Sequence, residues 1–215
     1  MAKHYVSNKR ITPRLFENNF MEWLSHVHPI IVPIIYLPVV IYFLYRALVI
    51  YSMNVESLLV LFLSGLLFWT LFEYLAHRYI FHYEATSKFG KKFMFIIHGI
   101  HHDYPKDPKR LVMPPSVSIP LAFITYGLFK LVLGDIFFAP FFSGFVLGYI
   151  FYDMIHYATH HFSMKNIPGG LWLQKYHSRH HYQDEEYGFG VSSPLWDYVF
   201  RTQFQLKSKK ATQES

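Results

Sequence analysis

Four long apolar runs constrain the fold of this chain more than any other feature. They cover residues 29–50, 57–76, 117–133 and 136–152. The first two reach the roughly 20 residues that a membrane-spanning helix needs, and the last two lie near the lower limit of about 17. Charged residues make up only 16% of the chain, too few to cover these runs in a soluble bundle. The runs predict an all-α integral membrane protein with four transmembrane helices, the last two joined by a tight turn at Gly134 and Asp135.

Lysine and arginine residues are distributed unevenly around these runs. None lies in the short connections at 51–56 and 134–135. Most of the others precede the first run, separate the second from the third, or follow the fourth, as Lys9, Lys91 and Lys175 do. An excess of basic residues marks the cytoplasmic side of a membrane protein. We therefore expect both termini on the cytoplasmic side of a bacterial inner membrane or of the endoplasmic reticulum. The net charge of +6 is explained in this way and does not indicate a nucleic-acid partner.

The start of the chain, MAKHYVSNKRITPRLFENNF, carries charge but no apolar core before a small-residue cleavage site. No cleavable signal peptide is expected there. The pattern divides the chain into a cytoplasmic N-terminal segment at 1–28, a membrane domain at 29–202 and a polar C-terminal tail at 203–215.

Ten of the fourteen histidines form four clusters on the predicted cytoplasmic side. They are His77 and His82; His98, His101 and His102; His156 and His160; and His177, His180 and His181. In a helix, residues three and four apart share a face, so each His-x-x-His-His triplet is expected to project its imidazoles in one direction. His77 and His82 diverge by about 140° in an ideal helix. They can bind the same metal pair if they approach it from two sides, or if the helix is more loosely wound at this point.

This number of imidazoles on one membrane face indicates a metal centre, because imidazole is the commonest metal ligand. The chain has no cysteine, so thiolate ligands are excluded. A pH sensor is the alternative, but it needs no such spacing. Ten nitrogens suit two ions, held by a helical cap on the cytoplasmic side. His161 lies about 100° around the helix from His160 and is expected outside the ligand set. His4, His26 and His28 are expected to be surface or interfacial residues.

The amino-acid sequence around the histidines resembles that of the fatty acid 2-hydroxylase family, within the fatty acid hydroxylase/sterol desaturase superfamily. The segments that carry the resemblance are EYLAHRYIFH, HGIHHDYPKDPKRLVMPP, GYIFYDMIHYATHH and YHSRHHYQDEEYGFGVSSPLWD. The histidine spacing alone marks the superfamily. RLVMPP at 110–115 and GFGVSSPLWD at 188–197 favour the 2-hydroxylases.

The resemblance implies a non-haem di-iron centre on the ten histidines, with O2 as co-substrate and zinc able to replace iron in purified protein. It implies hydroxylation of the carbon next to the acyl carbonyl of a fatty acid or sphingolipid. That carbon lies beside the polar head, at the depth of histidines placed just beyond the spans. Many relatives carry a cytochrome b5 domain, but only about 28 residues precede the first run and no HPGG occurs. We expect a separate electron donor, such as cytochrome b5 or ferredoxin with its reductase.

Four further residues are candidates for supporting this centre. Glu73 precedes His77 by four positions and Asp153 precedes His156 by three, so each carboxylate can orient an imidazole or pair with a nearby lysine or arginine. Tyr149 and Tyr152 are candidates for the substrate pocket or for an interfacial aromatic belt.

Other functions remain open at this point. A lipid desaturase or sterol oxidase of the same superfamily uses a similar centre. A non-catalytic metal transporter or membrane cytochrome is disfavoured because the four predicted spans contain no histidine.

Overall fold

The computed structural model describes residues 6–204, and within that range it contains helices, turns and loops but no strand. The predicted all-α class is therefore confirmed for the described part of the chain. Residues 205–215, most of the predicted polar tail, and His4 lie outside it. The helices are α1 (Asn19–Leu24), α2 (Ile31–Tyr45), α3 (Val55–Leu75), α4 (Lys88–Met94), α5 (Ile100–Asp103), α6 (Pro115–His161), α7 (Gly170–Tyr182) and α8 (Leu195–Val199).

Three stretches among the described residues are long and apolar enough to cross a membrane, namely Ile31–Ile50, Val55–Phe81 and Pro115–His161. The apolar runs 117–133 and 136–152 both fall within the third stretch. In the second stretch, only 17% of the most apolar 18-residue segment is buried inside the protein. Apolar surface of that extent requires lipid or another apolar partner to cover it. The protein is therefore a membrane protein.

The third stretch is not one straight helix. Gly134 interrupts it with φ 67° and ψ 170°, a conformation that glycine adopts without a steric penalty. The rings of Phe129 and Phe145 lie 5.0 Å apart, whereas sixteen residues of straight helix would separate them by about 24 Å. Tyr126 and Phe138 also pack at 5.0 Å. The two arms of α6 therefore fold back on each other at Gly134.

Two glycines bring α3 and the second arm of α6 into close contact. A Cβ atom added at Gly65 would overlap the carbonyl oxygen of Phe141, and one added at Gly144 would overlap that of Phe62. Small residues at such crossings let membrane helices approach closely. Trp69 fills the neighbouring space above Gly148. This crossing sets the ends of α3 and α6, which carry histidines, side by side.

Three helices continue into π-helical segments, at Arg46–Ile50, Ala76–Phe81 and Phe95–Gly99. The last two contain His77 and His98. The π-helical segment Ala76–Phe81 prolongs α3, and α6 continues to His161, so both stretches run past the predicted ends of their spans. His77, His156 and His160 therefore lie in the last turns of these continuous helical stretches.

The N-terminal segment packs against the loop that follows α5. Ser7 N donates to Asp103 O at 2.7 Å, and Val27 N donates to Lys109 O at 2.9 Å. The buried guanidinium of Arg110 bridges the two, donating to the Glu22 carboxylate and to Ser25 Oγ. These contacts tie the residues before α2 to the chain segment that leaves His101 and His102.

Candidate metal centre

The ten clustered histidines converge into two groups of five, and within each group the ligand nitrogens all lie within 4.8 Å of one another. We call these the first and the second histidine group. The first comprises His77, His82, His98, His102 and His180. The second comprises His101, His156, His160, His177 and His181.

Each His-x-x-His-His triplet contributes to both groups. On α5 and the π segment before it, His98 and His102 belong to the first group, and their Nε2 atoms lie 3.0 Å apart. His101, between them in sequence, points to the second group, where its Nε2 lies 3.0 Å from that of His181. On α7 the roles are exchanged. His180 joins the first group, with its Nε2 3.1 Å from that of His82.

The π-helical segment at the end of α3 accounts for the five-residue spacing of His77 and His82. A π-helix pairs residue i with residue i+5, and His82 N donates to His77 O at 3.2 Å. The two Nε2 atoms consequently lie 3.3 Å apart. Of the two arrangements that allow these residues to converge, the structure contains the loosened helix.

The second group is assembled from three helices. The end of α6 supplies His156 and His160, whose Nε2 atoms lie 2.9 Å from those of His101 and His177 respectively. His161 is outside both groups. Its ring stacks on that of Tyr157 at 4.2 Å.

Burial lowers the pKa of six of these imidazoles and so favours their neutral form. It lowers the pKa of His82 to about 2, with smaller contributions from His180 and His102. It lowers the pKa of His180 to about 4. The pKa values of His98, His101, His177 and His181 are also well below the ordinary value, and burial is the largest cause in each case. A metal binds the neutral imidazole, so both groups suit a divalent ion with nitrogen preference.

One loop orients two imidazoles of the first group. His77 Nδ1 donates to Phe189 O at 2.5 Å, and His180 Nδ1 donates to Tyr187 O at 2.8 Å. Because a carbonyl only accepts, each Nδ1 carries the proton and each Nε2 presents its lone pair to the group centre. The Glu185 carboxylate lies 3.7 Å from His102 Nδ1.

Two buried carboxylates hold this loop. Asp197 accepts hydrogen bonds from Phe189 N and Gly190 N, each at 2.9 Å. Glu73 accepts from Val191 N at 2.7 Å and from Ser192 N at 2.8 Å. The sequence places Glu73 on the face of His77, but its carboxylate binds loop amides that need an acceptor, and not an imidazole or a basic side chain. Glu73 therefore affects His77 indirectly, by holding the loop whose Phe189 carbonyl accepts the His77 hydrogen bond.

The sequence did not single out Asp197 or Glu185. Asp197 ends the GFGVSSPLWD stretch, in which two glycines and two serines predict an irregular loop whose amides require acceptors. Glu185 follows the second triplet closely, but an exposed acidic loop gives no signal of its own.

The remaining candidates lie on α6 shortly before His156, a member of the second group. Tyr152 lies beside His156, with their rings 5.7 Å apart. Asp153 is buried, and its Oδ2 atom has no hydrogen-bond partner among the described residues. Tyr149 borders a cavity of about 30 Å³ together with Tyr36 and Trp69, which is room for about one water molecule.

The sequence model of the family described as fatty acid hydroxylase matches residues 62–202. The chain belongs to this family and is a lipid-modifying oxidoreductase. It is 36% identical to a dihydroceramide fatty acyl 2-hydroxylase of Arabidopsis thaliana, over 94% of this chain and 84% of the relative. It is 39% identical to the fatty acid 2-hydroxylase of Rattus norvegicus, over 88% of this chain and 56% of the relative. Within the family it is thus a member of the fatty acid 2-hydroxylases, as the resemblance predicted.

A solved structure of full-length scs7p, in which only the hydroxylase domain is visible, has the same fold. The TM-score is 0.81 at 38% identity, covering 87% of this chain and 70% of that chain. The chain thus spans most of the plant relative but little more than half of the rat relative.

Proposed function

We propose that this protein 2-hydroxylates the acyl chain of a fatty acid or of a sphingolipid at a dimetal centre held by the ten histidines. The observation that carries the proposal is the convergence of ten buried or half-buried imidazoles into two groups of five at the ends of membrane-length helices. Plant and mammalian relatives named as acyl 2-hydroxylases support the choice of reaction.

The donor set fits two iron ions, because neutral imidazole suits iron and zinc alike. When bound, two redox-active ions supply the activation of O2 that an inert C–H bond requires and that acid/base side chains cannot provide. Zinc competes for the same nitrogens and is expected to replace iron in purified protein.

The chain's own residues orient the ligands and shape the approach of the substrate. The loop carbonyls of Phe189 and Tyr187 hold two Nε2 lone pairs toward the first group. Tyr149, Tyr152 and Asp153 stand where an acyl chain entering from the bilayer meets the second group. The cavity beside Tyr149 is smaller than an acyl chain, so binding requires its lining side chains to move apart.

The proposal includes the placement in the membrane. The fold of α6 at Gly134 supports four crossings. The distribution of lysine and arginine residues supports a cytoplasmic location for both termini and for the histidine groups. A carbon next to the acyl carbonyl lies near the lipid head, which matches ligands in the terminal turns of α3 and α6. Hydroxylation by O2 with release of water consumes two electrons and two protons. We propose that a separate donor protein, such as cytochrome b5 or ferredoxin with its reductase, supplies the electrons.

Lipid mass spectrometry after expression in a host that lacks 2-hydroxy lipids tests this function. The wild-type chain should produce 2-hydroxyacyl species when iron, oxygen and reductant are sufficient. His101→Ala should abolish the product, and His28→Ala, an exposed histidine outside both groups, should retain it. An unsaturated or sterol product in place of the 2-hydroxyacyl species would refute the 2-hydroxylase assignment. Fewer than two ions per wild-type chain would refute the dimetal centre.

A further inference from the structure

Helix α4 buries none of its side chains. Phe89 is 81% exposed and Phe93 is 51% exposed, and their rings stack at 6.3 Å. The two residues are four positions apart, so they form one aromatic face. An uncovered pair of phenylalanines gains nothing from remaining in water. The face therefore needs a covering partner.

The charge on α4 indicates what that partner is. Lys88, Lys91 and Lys92 are all exposed, and the helix sequence KFGKKFM contains no acidic residue. A basic helix with an aromatic face is typical of a helix that lies in the plane of a membrane surface. Lysines close to the cytoplasmic leaflet are attracted to its anionic lipids.

The chain leading to α4 also favours a lipid surface over a protein partner. Tyr79 and Ile80, in the last turn of the membrane-length stretch Val55–Phe81, are exposed, and so is Tyr83 just after it. Aromatic residues at the end of a span mark the lipid headgroup level. The exposed aromatic face of α4 follows this lipid-facing end after a short connection, so both occupy the same interface.

We propose that α4 docks on the surface of an anionic bilayer, with Phe89 and Phe93 toward the acyl chains and its three lysines toward the lipid phosphates. The helix continues through the π-helical segment Phe95–Gly99 into α5. The π-helical segment carries His98, and α5 carries His101 and His102. The lipid surface consequently sets the depth of three of the ten imidazoles. This inference rests on the membrane placement of the chain and not on the reaction that it catalyses.

Spin labelling of the full chain in lipid vesicles tests the docking. The chain has no cysteine, so a nitroxide on Phe89→Cys is the only label. In vesicles of phosphatidylcholine with phosphatidylglycerol, that label should be more accessible to O2 than to a water-soluble nickel chelate. A label on Glu186→Cys, in the acidic loop, should show the opposite order. Equal nickel accessibility at both positions would overturn the proposal, and so would a label at position 89 shielded from both reagents, because that result means protein packing.

The lysines are tested by changing the lipid charge. In phosphatidylcholine alone, the label at position 89 should be less protected from nickel than in the anionic mixture. Each lysine should change the ratio of docked to undocked helix by about fivefold. The variant Lys88→Gln/Lys91→Gln/Lys92→Gln should remove the difference between the two lipid mixtures. Identical accessibility of the wild-type helix in both mixtures would overturn the role of anionic lipid. Enzyme activity is not read in either experiment, so a failure here is distinct from a failure of the proposed reaction.

Discussion

The two histidine groups contain the same number of imidazoles, but the protein orients them by different means. In the first group, a single loop supplies carbonyl acceptors to His77 and His180 and a carboxylate close to His102. In the second group, the Nδ1 atoms of His156, His177 and His181 are buried and have no hydrogen-bond partner among the described residues. Among the described residues, the packing of α6 and α7 positions those imidazoles.

This difference has a consequence for how each group responds to change. The first group depends on the loop, which the buried carboxylates of Glu73 and Asp197 hold in place. The second group depends on the rigid ends of α5, α6 and α7. Substitutions in the loop should weaken the first group selectively, whereas few single substitutions outside the ligands should weaken only the second.

The largest effect is expected from two neighbouring ligands. His180→Ala and His181→Ala alter adjacent residues of α7 that face different groups. Each variant should lose one of two bound ions and all 2-hydroxylated product, because each group loses one of its five nitrogens while the other group stays intact. Metal analysis by plasma mass spectrometry after passage over a chelating resin measures this. Ser178→Ala on the same helix is the matched control and should keep both ions. Loss of both ions in either variant would show that the groups do not bind independently.

The division between the groups marks the limit of what the sequence predicts. The triplet spacing predicts three imidazoles on one side of each helix. It cannot show that His101 and His180 cross to the other group, because that depends on the angle at which α5 meets α7. The five-residue spacing of His77 and His82 left two arrangements open, and the π-helical segment selects between them. Local spacing thus predicts convergence, and only tertiary packing determines the partition.

The supporting residues show the same limit. A carboxylate one helical turn from a histidine suggested that Glu73 contacts an imidazole, but the loop amides at Val191 and Ser192 occupy it. Val191 and Ser192 are more than 100 residues after Glu73 in the sequence, so only the tertiary fold brings their amides to its carboxylate. The apolar runs, in contrast, predict the helical class directly, because membrane helices satisfy their own backbone hydrogen bonds locally.

A smaller effect is expected from the carboxylate that holds the loop. Asp197→Ala leaves the buried amides of Phe189 and Gly190 without an acceptor, which should cost about 3 kcal/mol of stability. The displaced loop should also lower the metal affinity of the first group by about 10- to 100-fold. Thermal unfolding in detergent and competition with a chelator measure the two effects. Asp135→Ala, which removes an exposed partner of Lys130 at 3.2 Å, should change neither by a comparable amount. An equal loss of affinity in both groups would contradict the selective role of the loop.

The smallest effect should come from Glu185, which lies 3.7 Å from His102 Nδ1 and is 42% exposed. At this distance its influence is electrostatic, since a hydrogen bond needs a closer approach, and partial exposure weakens it. Glu185→Ala and Glu185→Gln should therefore both lower the metal affinity of the first group by only about two- to fivefold, the range for a partly exposed charge pair. Because the effect depends on charge, high salt should diminish it. Glu186→Ala removes an equally charged neighbour and serves as the control. If Glu185→Gln retained the wild-type affinity while Glu185→Ala lost it, the carboxylate would act by hydrogen bonding, and its charge would not contribute to the difference between the two groups.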